Sequence, residues 1–201
     1  MSQRTRILKL SHLDEIRAGA TANCFTPRGT MRCIGSPLFR TASARDVGCL
    51  LDVDPSVDTW TCLPFELHNG GIHYVPDFLV NCGSTQILID ANRSPAWAPE
   101  AAKIAGYQYQ ADRYDLHEAT IRLANARDLL RYASYNVTLG DRIRILSLLE
   151  EHGPMPLIHC AAAIKNSSDA IGTIASLVLQ RIIEIDIEDA LIGPETRISR
   201  A

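Results

Sequence analysis

The sequence predicts an α/β chain: a mixed sheet flanked by helices, followed by a small module of three helices and a hairpin. Three observations carry this reading. Apolar runs of strand length at residues 74–80 and 87–89 lie on either side of a Cys82-Gly83-Ser84 turn. Helical periodicity flanks them, in a short segment from Arg45 and again in residues 97–105 and 118–135. Past Thr138, three helix-length segments precede an alternating stretch, residues 181–187, and a short return at 196–199.

In chain order, residues 1–25 read as a basic arm. Residues 1–45 hold eight Lys/Arg against two acidic side chains, whereas 46–137 hold six against twelve and 138–201 hold six against nine. The net charge of −3 hides this asymmetry. Arg4, Arg6, Lys9, Arg28, Arg32, Arg40 and Arg45 are the natural phosphate contacts, and binding through them should fall steeply with salt. The helix from Arg45 runs into an Asp54-Pro55-Ser56-Val57 turn, where Asp52, Asp54 and Asp58 are expected to cap and end it.

The hairpin that follows carries the chemistry. Pro76-Asp77 opens its first strand and Asp90-Ala91-Asn92 ends its second, so antiparallel pairing brings Asp77 near Asp90. Two carboxylates at one point are a hard-oxygen site for Mg2+, the ligand set of a metal-dependent phosphodiesterase. Such a site also needs a cation for the attacking water and the phosphate. A lysine two residues past the second carboxylate would share its strand face, and that position here is Asn92, which carries no charge. Arg93 falls on the opposite face. Lys103, on the next helix, is the candidate to reach back.

Beyond the hairpin, residues 97–105 form a helix broken at Gly106, and 107–109 a short strand. The helix of 118–135 turns Ile121, Leu123, Leu129 and Leu130 to one side. His117 and Glu118 are read as its entry. Tyr107, Tyr109, Tyr114, Tyr132 and Tyr135 are read as packing with wet hydroxyls in preference to base-stacking platforms.

Taken together, the helix before Asp54-Pro55-Ser56-Val57, the Leu63-Pro64-Phe65 segment, Tyr74-Val75-Pro76-Asp77-Phe78 and Asp90-Ala91-Asn92 resemble the N-terminal domain of the TnsA endonuclease family, over about residues 26–95. The resemblance implies a restriction-endonuclease-like domain at 26–137 with Asp77, Asp90 and Asn92 at its catalytic positions and Asp77 and Asp90 as Mg2+ ligands. It also implies a DNA substrate and a transposase or AAA+ ATPase partner. The chain departs from the family at the chemistry. The helix glutamate is replaced within Thr41-Ala42-Ser43-Ala44, the glutamine before the proline is Leu63, and the final lysine is Asn92. The expectation is therefore a catalytically impaired, DNA-associated protein of a mobile element. The alternatives are an active Mg2+-dependent endonuclease with a relocated lysine and a DNA-binding transcription regulator.

Residues 138–201 have the element order of a winged helix: a helix to His152 stopped at Gly153-Pro154, a short helix through Lys165, a third helix capped from Ser167-Ser168-Asp169, then the hairpin. A reader of the major groove bears basic and amide side chains on its third helix. Here that helix offers Ile171, Ile174, Leu177, Val178 and Leu179, which predicts a core or partner-facing surface.

Composition narrows the compartment. No apolar stretch follows the opening residues and no window approaches a membrane span, which predicts a cytoplasmic chain without a secretory signal. The six cysteines (Cys24, Cys33, Cys49, Cys62, Cys82, Cys160) lack C-x-x-C spacing and read as reduced core thiols.

Overall fold

The structure is a computed structural model and describes residues 11–21, 25–111 and 113–201. Arg4, Arg6, Lys9 and Cys24 lie outside the described residues. Part of the expected arm is not an arm: α1 (His12–Thr21) packs Leu13, Ile16 and Ala20 onto the core, and Arg17 donates to the carbonyls of Leu63 and Pro64.

Helix α2 (Ala42–Val53) starts where the Thr41 hydroxyl accepts from the Ala44 N–H at 3.1 Å, an N-cap in extended backbone. It ends at Asp54, whose N–H reaches the Leu50 carbonyl and whose carboxylate takes the Ser56 N–H and hydroxyl. Two faces of α2 are covered. Ala44, Val47 and Leu51 meet the sheet, while Cys49 and Leu50 meet a later helix. Gly48 sits where Phe39 crosses, and a Cβ there would stand 2.9 Å from Phe39 Cε1.

Three strands follow: β1 (Thr59–Cys62), β2 (Leu67–Asn69) and β3 (Ile72–Tyr74), the last two joined by Gly70-Gly71, both at positive φ. The strand expected over 74–80 is thus two elements, because β3 ends at Tyr74 and β4 (Phe78–Cys82) begins after Asp77. Strand β5 (Thr85–Ile89) pairs antiparallel with β4, and β4 with β1. After α3 (Ala98–Ile104), β6 (Gln108–Gln110) joins β5 in parallel, giving a mixed sheet of order β1-β4-β5-β6. Alternation sorts the two faces. Trp60, Phe78, Val80, Ile87 and Ile89 face α2, and Leu79, Leu88 and Tyr109 face α3 with the β2–β3 hairpin. The segment before α2 extends this sheet: the Trp60 N–H donates to the Arg32 carbonyl, and the Ile34 N–H to the Trp60 carbonyl.

His117 and Glu118 donate their N–H groups to Asp115, confirming them as the approach to α4 (Thr120–Leu130). The C-terminal part holds α5 (Leu139–His152), β7 (Met155–Pro156), α6 (Leu157–Ala163), α7 (Ala170–Leu179), β8 (Ile183–Ile185) and β9 (Arg197–Arg200), with sheet order β7-β9-β8. It does not stand apart. Ala175 and Leu179 of α7 join Leu123, Ala126, Leu129 and Leu130 of α4 and Cys49 and Leu50 of α2 in one core cluster, while Ile174 and Leu177 complete the core beneath α5 and α6. Among the described residues no helix is long and apolar enough to cross a membrane. Cys49, Cys62 and Cys160 are buried free thiols, and Cys33 and Cys82 are half-buried and free.

Candidate functional site

The register Phe78↔Ile89 sets Asp77 opposite Asp90, at the end of the β4–β5 ladder. Both are buried, at 5% and 3% exposure. The backbone closes a loop around the pair: the Asp77 N–H donates to Asp90 Oδ1 at 2.9 Å, and the Ala91 N–H donates to Asp77 Oδ2 at 3.0 Å. The convergence expected of a hairpin is therefore present.

What faces the pair is an arginine. Arg40, in the turn before α2, donates from Nε and Nη2 to Asp77 Oδ1 at 2.9 and 2.6 Å, and its Nη2 stands 3.8 Å from Asp90 Oδ1. The remaining oxygen, Asp90 Oδ2, accepts from the Tyr109 hydroxyl on the neighbouring parallel strand, and the Tyr74 hydroxyl also bonds this carboxylate. Burial pushes Asp90 above the ordinary carboxylate range, the Tyr109 hydroxyl and Asp77 N–H pull it back, and the Asp77 charge adds to the rise. Burial, then the Asp90 carboxylate, push the Tyr74 and Tyr109 hydroxyls up, so both remain protonated donors. Burial lowers the Arg40 guanidinium, but the charge and hydrogen bonds of Asp77 outweigh it and leave it raised.

All four carboxylate oxygens thus accept from a protein donor, and the positive charge of Arg40 stands where a divalent cation would need open oxygens. This donor set does not fit Mg2+ as arranged, since coordination would require displacing Arg40. Asn92 is exposed and donates to Thr41 Oγ1 at 3.3 Å, tying the end of β5 to the residue after Arg40. Lys103 is exposed on α3 and is not among the described partners of Asp77 or Asp90; the cation that pairs with them is Arg40. Neither a protein-family model nor a curated protein matches the chain.

The other expected phosphate contacts divide. Arg45 is 1% exposed, donates to the Pro27 and Gly29 carbonyls and lies over the Phe39 ring, so it is a core strut and not a DNA contact. Arg32 donates to the carbonyls of Asp52 and Leu179 and is likewise spent inside the fold. Arg28 alone of the four is exposed, on the rim of a groove of about 820 Å³ shared with Arg127, Arg131 and Ser134. There Arg127 pairs with Asp46.

Of the acidic residues expected to cap and end α2, Asp54 does so, whereas Asp52 and Asp58 hold other parts of the fold. Asp52 is buried and takes the N–H groups of Met31 and Arg32 and the Trp60 indole. Asp58 takes the Gly83 N–H in the β4–β5 turn. The parts that sequence reasoning missed are the roles of Arg40, Tyr74 and Tyr109. Each sits far along the chain from its carboxylate, and no spacing rule links them.

Proposed function

We propose that this chain is a TnsA-like, DNA-associated protein of a mobile element whose nuclease site is closed. The observation that carries the reading is the Asp77–Asp90 pair at the end of the central β4–β5 ladder of a mixed sheet, with Arg40 bound between the carboxylates. The mixed order β1-β4-β5-β6 behind α2, with α3 crossing between β5 and β6, supports a restriction-endonuclease-like domain. The order α5-β7-α6-α7-β8-β9 with β9 between β7 and β8 supports a winged helix. Duplex DNA is then met through phosphates at the groove of Arg28, Arg127 and Arg131, without base reading. A transposase or AAA+ ATPase partner would not meet Ala175 and Leu179 of α7, which α4 covers. It would meet the apolar side chains left exposed outside it, Leu139, Ile143 and Ile158.

A plasmid-nicking assay with Mg2+ and Mn2+ tests the reading. The natural chain should leave supercoiled plasmid intact while binding it in a salt-sensitive manner. Nicked product that disappears in Asp77→Ala would establish the rival reading, a working Mg2+ endonuclease that uses Arg40 as its cation.

A further inference from the structure

A second constellation lies on the β2–β3 hairpin, built from Glu66, His68 and His73. His68 and His73 are Cα partners across the antiparallel pair, so their side chains share one face. Glu66 precedes His68 by two residues and falls on that same face. The outcome is compact: one ligand atom from each of the three lies within 4.8 Å of the other two. The two imidazoles stand edge to face with ring centroids 4.6 Å apart, and His73 Nδ1 is 2.8 Å from Glu66 Oε2. A third imidazole, His12 at the start of α1, has its ring 6.0 Å from that of His73.

We propose that Glu66, His68 and His73 bind a divalent transition metal of the zinc class, in a site unrelated to Asp77 and Asp90. Two neutral imidazoles and one carboxylate are a borderline donor set that suits Zn2+ far better than Mg2+. Bonds of about 2.0–2.2 Å put tetrahedral donors about 3.4 Å apart, between the 2.8 Å of the His73–Glu66 contact and the 4.8 Å limit of the cluster, an adjustment that side-chain rotation supplies on a half-exposed surface. His73 is 46% exposed at its side chain, which leaves an entry path and room for a fourth ligand, His12 or water. With His12 as the fourth ligand the metal fastens α1 to the hairpin, a structural clip between an N-terminal helix and the sheet layer behind it.

The test is a titration of the full chain with ZnCl2 by calorimetry, and with CoCl2 by visible absorption. The expected result is one ion per chain, a visible cobalt spectrum without a sulfur-to-metal charge-transfer band, and release on acidification, because protons compete with the metal for its ligands. His68→Ala and His73→Ala, each checked for an unchanged circular dichroism spectrum, should weaken binding at least about tenfold. An absence of binding at millimolar zinc would overturn the proposal. So would a one-to-one site that survives the double variant, or a cobalt spectrum of thiolate ligation.

Discussion

Arg40 decides the state of the carboxylate pair, because two buried acids side by side are unstable without a cation and a metal ion is the other way to supply one. Removing the guanidinium leaves Asp77 and Asp90 uncompensated. Arg40→Met should cost about 3 kcal/mol at neutral pH, at the lower end for breaking a buried pair because Arg40 itself is 29% exposed at the side chain. The same variant should gain what the natural chain lacks, a rise in thermal midpoint with Mn2+, since oxygens of both acids are released toward one point. Denaturant melts and thermal scans with and without Mn2+ check both halves. An Arg40→Met variant that is as stable as the parent and indifferent to Mn2+ would show that the arginine is not what fills the site. The carboxylate pair itself was legible in the sequence, since Pro76-Asp77 and Asp90-Ala91-Asn92 bracket a short hairpin. Its cation was not. Arg40 and Arg45 look alike on paper, and only the packing separates a site residue from a core strut over Phe39.

Among the elements, α5 shows how one carboxylate can organise a module. Asp141, fully buried in the first turn, accepts from the Thr138 and Ser167 hydroxyls, the Lys165 and Asn166 N–H groups and Arg144. Burial pushes its carboxyl up, but these donors outweigh it and hold the group at about 2, and Asp54 is likewise held at about 2 against burial by Ser56, Tyr114 and Arg113. Both folded values lie below the ordinary one, so the stability they supply is complete above about pH 5 and is lost as the pH falls from about 4 toward 2. Asp141→Asn should remove about 1–3 kcal/mol and flatten that acid limb, as followed by urea melts at pH 3, 5 and 7. Helix α2 offers a steric counterpart. Gly48→Ala drives a methyl to 2.9 Å from the Phe39 ring, and overpacking of this kind should cost about 1–3 kcal/mol, read as a lower denaturation midpoint. The helices from α2 onward were legible from periodicity to within about a turn, whereas α1, read as part of a basic arm, and the short strands were not. β1 has four residues and β2 and β3 three each, too few for alternation to register, and the run through Val75 disguises the break between β3 and β4.

At the scale of the whole molecule, the division at Thr138 that charge and rhythm suggest is not a division in packing. Helix α7 serves two cores, Asn125 of α4 donates to the Ile187 and Ala190 carbonyls and accepts from the Ile192 N–H, and Arg181 donates to the Asp54 and Val57 carbonyls at the end of α2. The apolar third helix was legible as a helix that does not read DNA, but a sequence has no means of showing that its partner lies in the same chain. Ending the chain at residue 137 strips Ala175 and Leu179 from the α2–α4 layer and leaves Leu123, Leu129 and Asn125 facing water. The loss removes apolar burial worth about 1.5–3 kcal/mol per large side chain, which is a large share of an ordinary domain's stability. Residues 1–137 alone should therefore bind a hydrophobic dye, aggregate and lose a cooperative thermal transition, while the full chain melts as one unit. Differential scanning calorimetry of the two lengths decides it: a fragment that melts cooperatively near the midpoint of the full chain would mean that the α4–α7 contact contributes little and that the halves are independent domains.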